Sequence, residues 1–175
     1  MDKSCHLAAV CVIRRLTGSE SIALAPKRRG ELAEIIFTLK AATMGLAVSK
    51  PLGDSLPYDV VIESGHRMLR IQVKSSFSSN RAAYCIALAP HLKTGYHVYT
   101  PEEIDFLVAY VVCHDSWYII PANALGTYQS VRLYPAGSKR KAGRFEEFRE
   151  AWHLITGVEP PEPPPPPSPD SAPGS

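Results

Sequence analysis

Residues 59–75 read DVVIESGHRMLRIQVKS. Two runs of β-branched and apolar residues, 59–64 and 68–75, flank Gly65-His66, a spacing that predicts a β-hairpin closed by a tight turn. Along the second run the side chains alternate, so Leu69, Ile71 and Val73 face one way and Arg70, Gln72 and Lys74 the other. Gln72 and Lys74 are therefore neighbours on one face, with Cα atoms about 6.5–7 Å apart. Asp59 opens the partner strand and can complete a cluster with them. On periodicity alone, Arg70, Gln72 and Lys74 equally describe the wet face of a half-exposed sheet, and Asp59 a strand start after the Pro57 turn.

Upstream, Lys27, Arg28 and Arg29 lead through Gly30 into ELAEIIFTLKAATM, residues 31–44, where Leu32, Ile35, Ile36, Leu39 and Thr43 recur at helical spacing. Gly45 suits the left-handed conformation that ends a helix, and the following LAV predicts a short strand before the turn-rich residues 50–57, where Asp54 shapes the Gly53 turn. Downstream, AYCIALA (residues 83–89) reads as a strand. Thr100 as N-cap, Pro101 at the first helical position and Glu103 closing a capping box predict a short helix or turn ending near Leu107. FLVAYVV and WYIIP, on either side of residues 113–116, predict a second hairpin whose Phe106, Tyr110, Trp117 and Tyr118 pack in the core. A last helix is expected from about Arg144 to Ile155, with Phe145, Phe148, Trp152 and Ile155 on one face. No internal repeat is present.

With 175 residues, 45% of them hydrophobic, the chain can bury one sizeable core. The organisation expected is an N-terminal extension (1–25), one domain (26–157) and a disordered proline-rich tail (158–175). A net charge of +2 permits a nucleic-acid partner without arguing for one. The cysteines at 5, 11, 85 and 113 form no CxxC pair and the histidines no HxH or HExxH arrangement, which favours reduced thiols over a zinc site. No apolar stretch approaches the roughly 18 residues that span a bilayer. No membrane partner and a cytoplasmic location are the expectations.

A hydrolysed phosphodiester needs an activated water and neutralised phosphoryl charge, which a hard divalent cation on oxygen ligands supplies. Asp59 is the anchoring carboxylate for such an ion, Gln72 can lend a carbonyl oxygen, and Lys74 can stabilise developing negative charge. Ser75 and Ser76, just beyond the lysine, together with Lys27, Arg28, Arg29 and Arg70, are candidate contacts to DNA phosphates, as are Lys139, Arg140, Lys141 and Arg144. Each also fits an ordinary solvated surface.

The order helix, strand, Pro57-Tyr58-Asp59, hairpin, Gln72-Val73-Lys74 resembles the PD-(D/E)xK nuclease superfamily. It is most similar to the branch of group I intron homing endonucleases, which carries Gln where most members have Asp or Glu, and more distantly to archaeal Holliday-junction resolvases. The resemblance spans roughly residues 29–117, including GELAE, PLGDSLPYD, RIQVKSS, IDFLVAY and WYIIP. It implies an α/β restriction-endonuclease-like core, a central mixed β-sheet flanked by helices. It also implies metal-dependent cleavage of DNA, with Mg2+ (or Mn2+) held by Asp59, Gln72 and Glu34, helped by the Val73 carbonyl, and with Lys74 activating water. Glu34 is placed in that set because a glutamate four residues after a glycine on the first helix marks the relatives; Glu31 is its rival. A homo-oligomer, dimer or tetramer, follows by analogy. Two other readings stay open: a non-catalytic module that binds DNA or a partner, since Gln72 removes a negative charge, and a junction resolvase.

Overall fold

The computed structural model describes residues 25–77, 83–88, 91–92, 95–96, 98–137 and 143–158. A helix, α1 (Pro26–Thr43), leads to β1 (Ala47–Ser49), β2 (Val60–Ser64) and β3 (Arg67–Ser76). There follow β4 (Tyr84–Ala87), the short pair β5 (His91–Leu92) and β6 (Gly95–Tyr96), then β7 (Phe106–Val111) and β8 (Ser116–Pro121). A short α2 (Ala122–Leu125), β9 (Ser130–Leu133) and α3 (His153–Thr156) complete the order. The central sheet runs β1-β2-β3-β7-β8, with β3 and β7 parallel and every other neighbouring pair antiparallel. This is the mixed, helix-flanked sheet of the restriction-endonuclease-like fold.

Both predicted hairpins are present. Gly65, at φ +60°, turns β2 into β3 so that Val60 faces Ile71 and Ser64 faces Arg67. In the second hairpin a 3-10 turn at Val112–His114 and a left-handed Asp115 join β7 to β8. Alternation along β7 decides how the sheet is covered. Phe106, Val108 and Tyr110 enter a core with α1 and α3, while Leu107, Ala109 and Val111 enter a second core with α2, β4 and β9. A central strand covered on both faces reads as an unbroken apolar run, as FLVAYV does. The four aromatic side chains expected inside are buried.

Several expectations need correcting. The helix begins at Pro26, so Lys27, Arg28 and Arg29 sit in its first turn rather than before it. Its buried face is Ala33, Phe37 and Ala41, not the stripe of larger apolar residues; Ile35 and Leu39 are 61% and 57% exposed. Small residues let the helix lie close to the sheet, and Phe37 then stacks on Trp152 and tilts against Trp117. Of the helix or turn expected at Thr100, the turn is present, and it ends before Leu107. Thr100 N–H does donate to the Glu103 carboxylate at 3.1 Å, but Asp105 N–H is taken by Arg70 O at 2.9 Å and the chain enters β7 at Phe106.

The long C-terminal helix is also broken. Glu150 adopts φ +53°, its N–H bonds Trp117 O at 2.7 Å, and its carboxylate accepts from Trp117 N–H and Trp152 Nε1. Only a 3-10 turn (Glu146–Phe148) and α3 remain helical. Phe145 and Ile155, expected on one face, belong to the two different cores. β4 leaves the central sheet to pair with β9, a strand absent from the sequence reading. Cys85 and Cys113 are free thiols; Cys5, Cys11, Lys139, Arg140, Lys141, most of the N-terminal extension and the tail beyond Val158 lie outside the described residues.

Candidate active site

The site arises where β3 outruns its neighbour. Pairing of β2 with β3 ends at Val60 and Ile71, and one further ladder bond runs from Asp59 N–H to Ile71 O at 2.9 Å. β3 continues to Ser76, supported on its other edge by β7. The Val73 N–H on the open edge would lack a strand partner, and the Asp59 carboxylate supplies one: Oδ2 accepts from Val73 N–H at 2.7 Å. The same oxygen accepts from Gln72 Nε2 at 2.5 Å, and that amide also donates to Val73 O at 3.3 Å. Gln72 is 6% exposed, so it is no part of a wet sheet face.

A cleft of about 440 Å³ opens over this strand end. Asp59 and residues 72–77 form one wall, and Pro26, Arg29, Gly30 and Glu34 of α1 form the other. Glu34, Asp59, Gln72 and Lys74 therefore share one cavity, although they come from α1, the residue before β2, and β3. Glu31 is exposed and does not line it. Lys50, which the sequence reading passed over as a turn residue, donates to Glu34 Oε2 at 2.7 Å. Burial pushes the Asp59 carboxyl above the ordinary aspartate value; the Glu34 charge adds to that, while the Val73 hydrogen bond and the Lys74 charge oppose it.

Not all candidate phosphate contacts reach the cleft. Ser75, Ser76 and Arg29 line it, and the Arg29 guanidinium stands 5.5 Å from the Phe77 ring centroid. Lys27 and Arg28 are exposed on the first turn of α1 outside it. Arg70 is drawn away altogether. Its guanidinium holds Asp105 (3.1 and 3.2 Å) and the carbonyls of Pro101 and Glu102, clamping the turn before β7 to β3. Arg144 lies over the Tyr128 ring.

Among the described residues no group of three or more His, Cys, Asp or Glu side chains could hold a metal ion. The donors that converge here are two carboxylates, one amide and one main-chain carbonyl. That all-oxygen set suits a hard cation that keeps part of its water shell and does not suit zinc. The Asp59 carboxyl, raised by burial and by the neighbouring Glu34 charge, is also what a cation would relieve. The residues present fit a divalent ion.

A family model for PD-(D/E)XK endonucleases matches residues 24–155. The chain belongs to that family. A solved bacterial homing endonuclease, I-Ssp6803I, superposes with a TM-score of 0.63 at 32% identity, covering 76% of this chain and 92% of that one. Hjc, a Holliday junction resolvase from Archaeoglobus fulgidus, aligns with a TM-score of 0.43 at 14% identity over 74% of this chain and 96% of its own. No curated protein sequence matches the chain. PD-(D/E)XK nucleases use divalent metal ions, which agrees with the oxygen donors in the cleft. No helix of the described residues is long and apolar enough to cross a membrane.

Proposed function

We propose that the chain is a metal-dependent DNA endonuclease, with Asp59, Gln72 and Glu34 holding Mg2+ or Mn2+ and Lys74 acting on the attacking water. The observation that supports this most directly is the sharing of one cleft by these four side chains. A bound divalent cation supplies neutralisation of phosphoryl charge and an acidified water. Asp59 contributes the central carboxylate, held in place by the Val73 N–H and by Gln72. Gln72 offers a carbonyl oxygen without a further negative charge. Lys74 brings a compact ammonium that stabilises an oxygen gaining negative charge in the transition state.

The first turn of α1 completes the reading. A helix N-terminus carries partial positive charge, and Pro26, Arg29 and Gly30 of the first turns line the cleft. Placing Lys27, Arg28 and Arg29 there is unfavourable for an isolated helix and favourable for one that meets a phosphate backbone. Ser75 and Ser76 extend the same wall. Cleavage of both strands of a duplex calls for two such sites, so a homo-oligomer is part of the proposal.

Purified full-length protein should cut DNA in Mg2+ or Mn2+ and not in chelator, and Asp59→Ala and Lys74→Ala should each abolish cutting. Absence of metal-dependent cleavage on duplex and branched DNA would sink the enzyme reading. Gln72 favours a second reading, a DNA-binding module without turnover, because an amide binds a cation more weakly than a carboxylate. That module would bind DNA with salt dependence and show no Mg2+ binding by calorimetry.

A further inference from the structure

Lys74 has a second neighbour besides the site carboxylate. Its Nζ stands 5.8 Å from the centroid of the Tyr99 ring, within the range of a cation–π contact. Tyr99 is 7% exposed and packed in the second core, so the ring is part of the frame and not a surface group. It immediately precedes the Thr100–Ile104 turn, which Arg70 clamps to β3 through the Pro101 and Glu102 carbonyls. Arg70 and Lys74 share one face of β3, and the residue that anchors the turn thereby sets the ring beside the lysine.

We propose that Tyr99 is a positioning residue whose ring face seats the Lys74 ammonium at the cleft and keeps it from pairing with Asp59. The proposal rests on the nuclease reading, in which Lys74 must meet water or phosphate while Asp59 stays available to a cation. A lysine side chain is a point charge on a flexible stem, and the nearest carboxylate would otherwise capture it. Among the described residues, ion pairs join Lys50 to Glu34 and Arg70 to Asp105, and none joins Lys74 to Asp59. A ring face attracts an ammonium without accepting its proton. Burial, reinforced by the charges of Asp59 and Glu103, pushes the Tyr99 hydroxyl up to about 12, so the ring remains a neutral phenol near neutral pH.

The test uses full-length protein carrying 13C-labelled lysine, with the Lys74 signal assigned by Lys74→Arg. In the wild type and in Tyr99→Phe, the Lys74 ε-methylene protons should be displaced upfield of the ordinary lysine position by the ring, as those of Lys40 should be by Trp152; in Tyr99→Leu only the Lys74 signal should return to the ordinary position. In Mg2+-dependent cleavage, Tyr99→Leu should lower kcat about tenfold with KM for DNA unchanged, and Tyr99→Phe should restore wild-type kcat to within about twofold. An ordinary Lys74 shift in the wild type overturns the proposal. So does a wild-type kcat in Tyr99→Leu, or equal losses in the Leu and Phe variants. If Tyr99→Leu fails to fold, fluorinated phenylalanines at position 99 keep the shape and drain the ring face: kcat falling with fluorination supports the proposal, and a constant kcat ends it. Should Lys74→Ala cleave as well as the wild type, or the wild type not cleave at all, the nuclease reading falls, while the shift still decides whether the ring seats the lysine.

Discussion

Gln72 Nε2 donates to Asp59 Oδ2 across 2.5 Å, so the amide of the Gln72-Val73-Lys74 motif is hydrogen-bonded to the aspartate that lines the same cleft. A glutamate in its place would set two like charges at that separation, with Glu34 as a third acid in the same cleft. Gln72→Glu is expected to melt lower than wild type in chelator and to gain more stability on adding Mg2+, because the cation then relieves a larger repulsion. Thermal melts across a Mg2+ titration check this; equal metal-induced shifts in the two proteins would remove Gln72 from the ligand set.

Asp59 carries a proton affinity raised above its unfolded value, first by burial and then by Glu34. The folded state therefore binds that proton more tightly than the unfolded chain does. This contribution is fully present below the unfolded value of 3.8 and is lost as pH rises through the raised folded value. Asp59→Asn should accordingly melt higher than wild type near neutral pH in chelator, by about 2–4 °C, with the advantage vanishing in acid. The same variant should lose cleavage by about a hundredfold or more. A lower melting point at neutral pH would contradict the sign.

Arg29 and Arg70 should part company in DNA binding. Arg29 lines the cleft and its replacement by alanine should reduce the slope of log affinity against log salt by about one. Arg70 is occupied by Asp105 and two carbonyls, so Arg70→Ala should destabilise the protein and leave the slope unchanged. The Asp105 carboxyl is pushed up by burial, but hydrogen bonds from the Arg70 side chain and backbone, with its charge, hold it below the ordinary value. The stability it lends is thus present above the unfolded value and lost as acid takes the pH down through the folded one. Equal salt slopes for the two variants would count against the cleft as the DNA-facing surface.

The Lys50–Glu34 pair is half-exposed on the lysine side, and such pairs are worth under about 1 kcal/mol. Lys50→Ala should leave the melting temperature almost unchanged. By removing a positive charge from Glu34 it should tighten Mg2+ binding about two- to fivefold at low salt, less as salt rises. Calorimetric titration at two salt concentrations reads this directly, and unchanged affinity would argue against Glu34 as a ligand.

Much of this was legible because local chemistry writes a strong signal. Gly65 between two alternating runs forces the β2–β3 hairpin, and alternation along 69–74 puts Gln72 and Lys74 on one face whatever surrounds them. Asp59, Gln72 and Lys74 lie within sixteen residues of one another along the hairpin, so their neighbourhood follows from strand pairing. Helical spacing misled where it met tertiary demands. Leu32, Ile35 and Leu39 form the larger apolar stripe of α1, yet the helix buries the narrow face of Ala33, Phe37 and Ala41, with Ile36 partly buried beside it. The Thr100 capping box forms its hydrogen bond, but pairing with Arg70 turns the next residues into a strand.

The sequence by itself determined the hairpin, the pairing of Gln72 with Lys74, and the family, since these rest on alternation, turn chemistry and motif order over short separations. Only the tertiary structure decided that Glu34 and not Glu31 faces the cleft, that Lys50 holds it, that Arg70 braces a turn, and that Tyr99 lies beside Lys74. Each of these joins residues from separate elements. Such contacts depend on the angle and depth at which a helix or a long crossover docks on the sheet, and that is set by how both cores pack rather than by any local pattern.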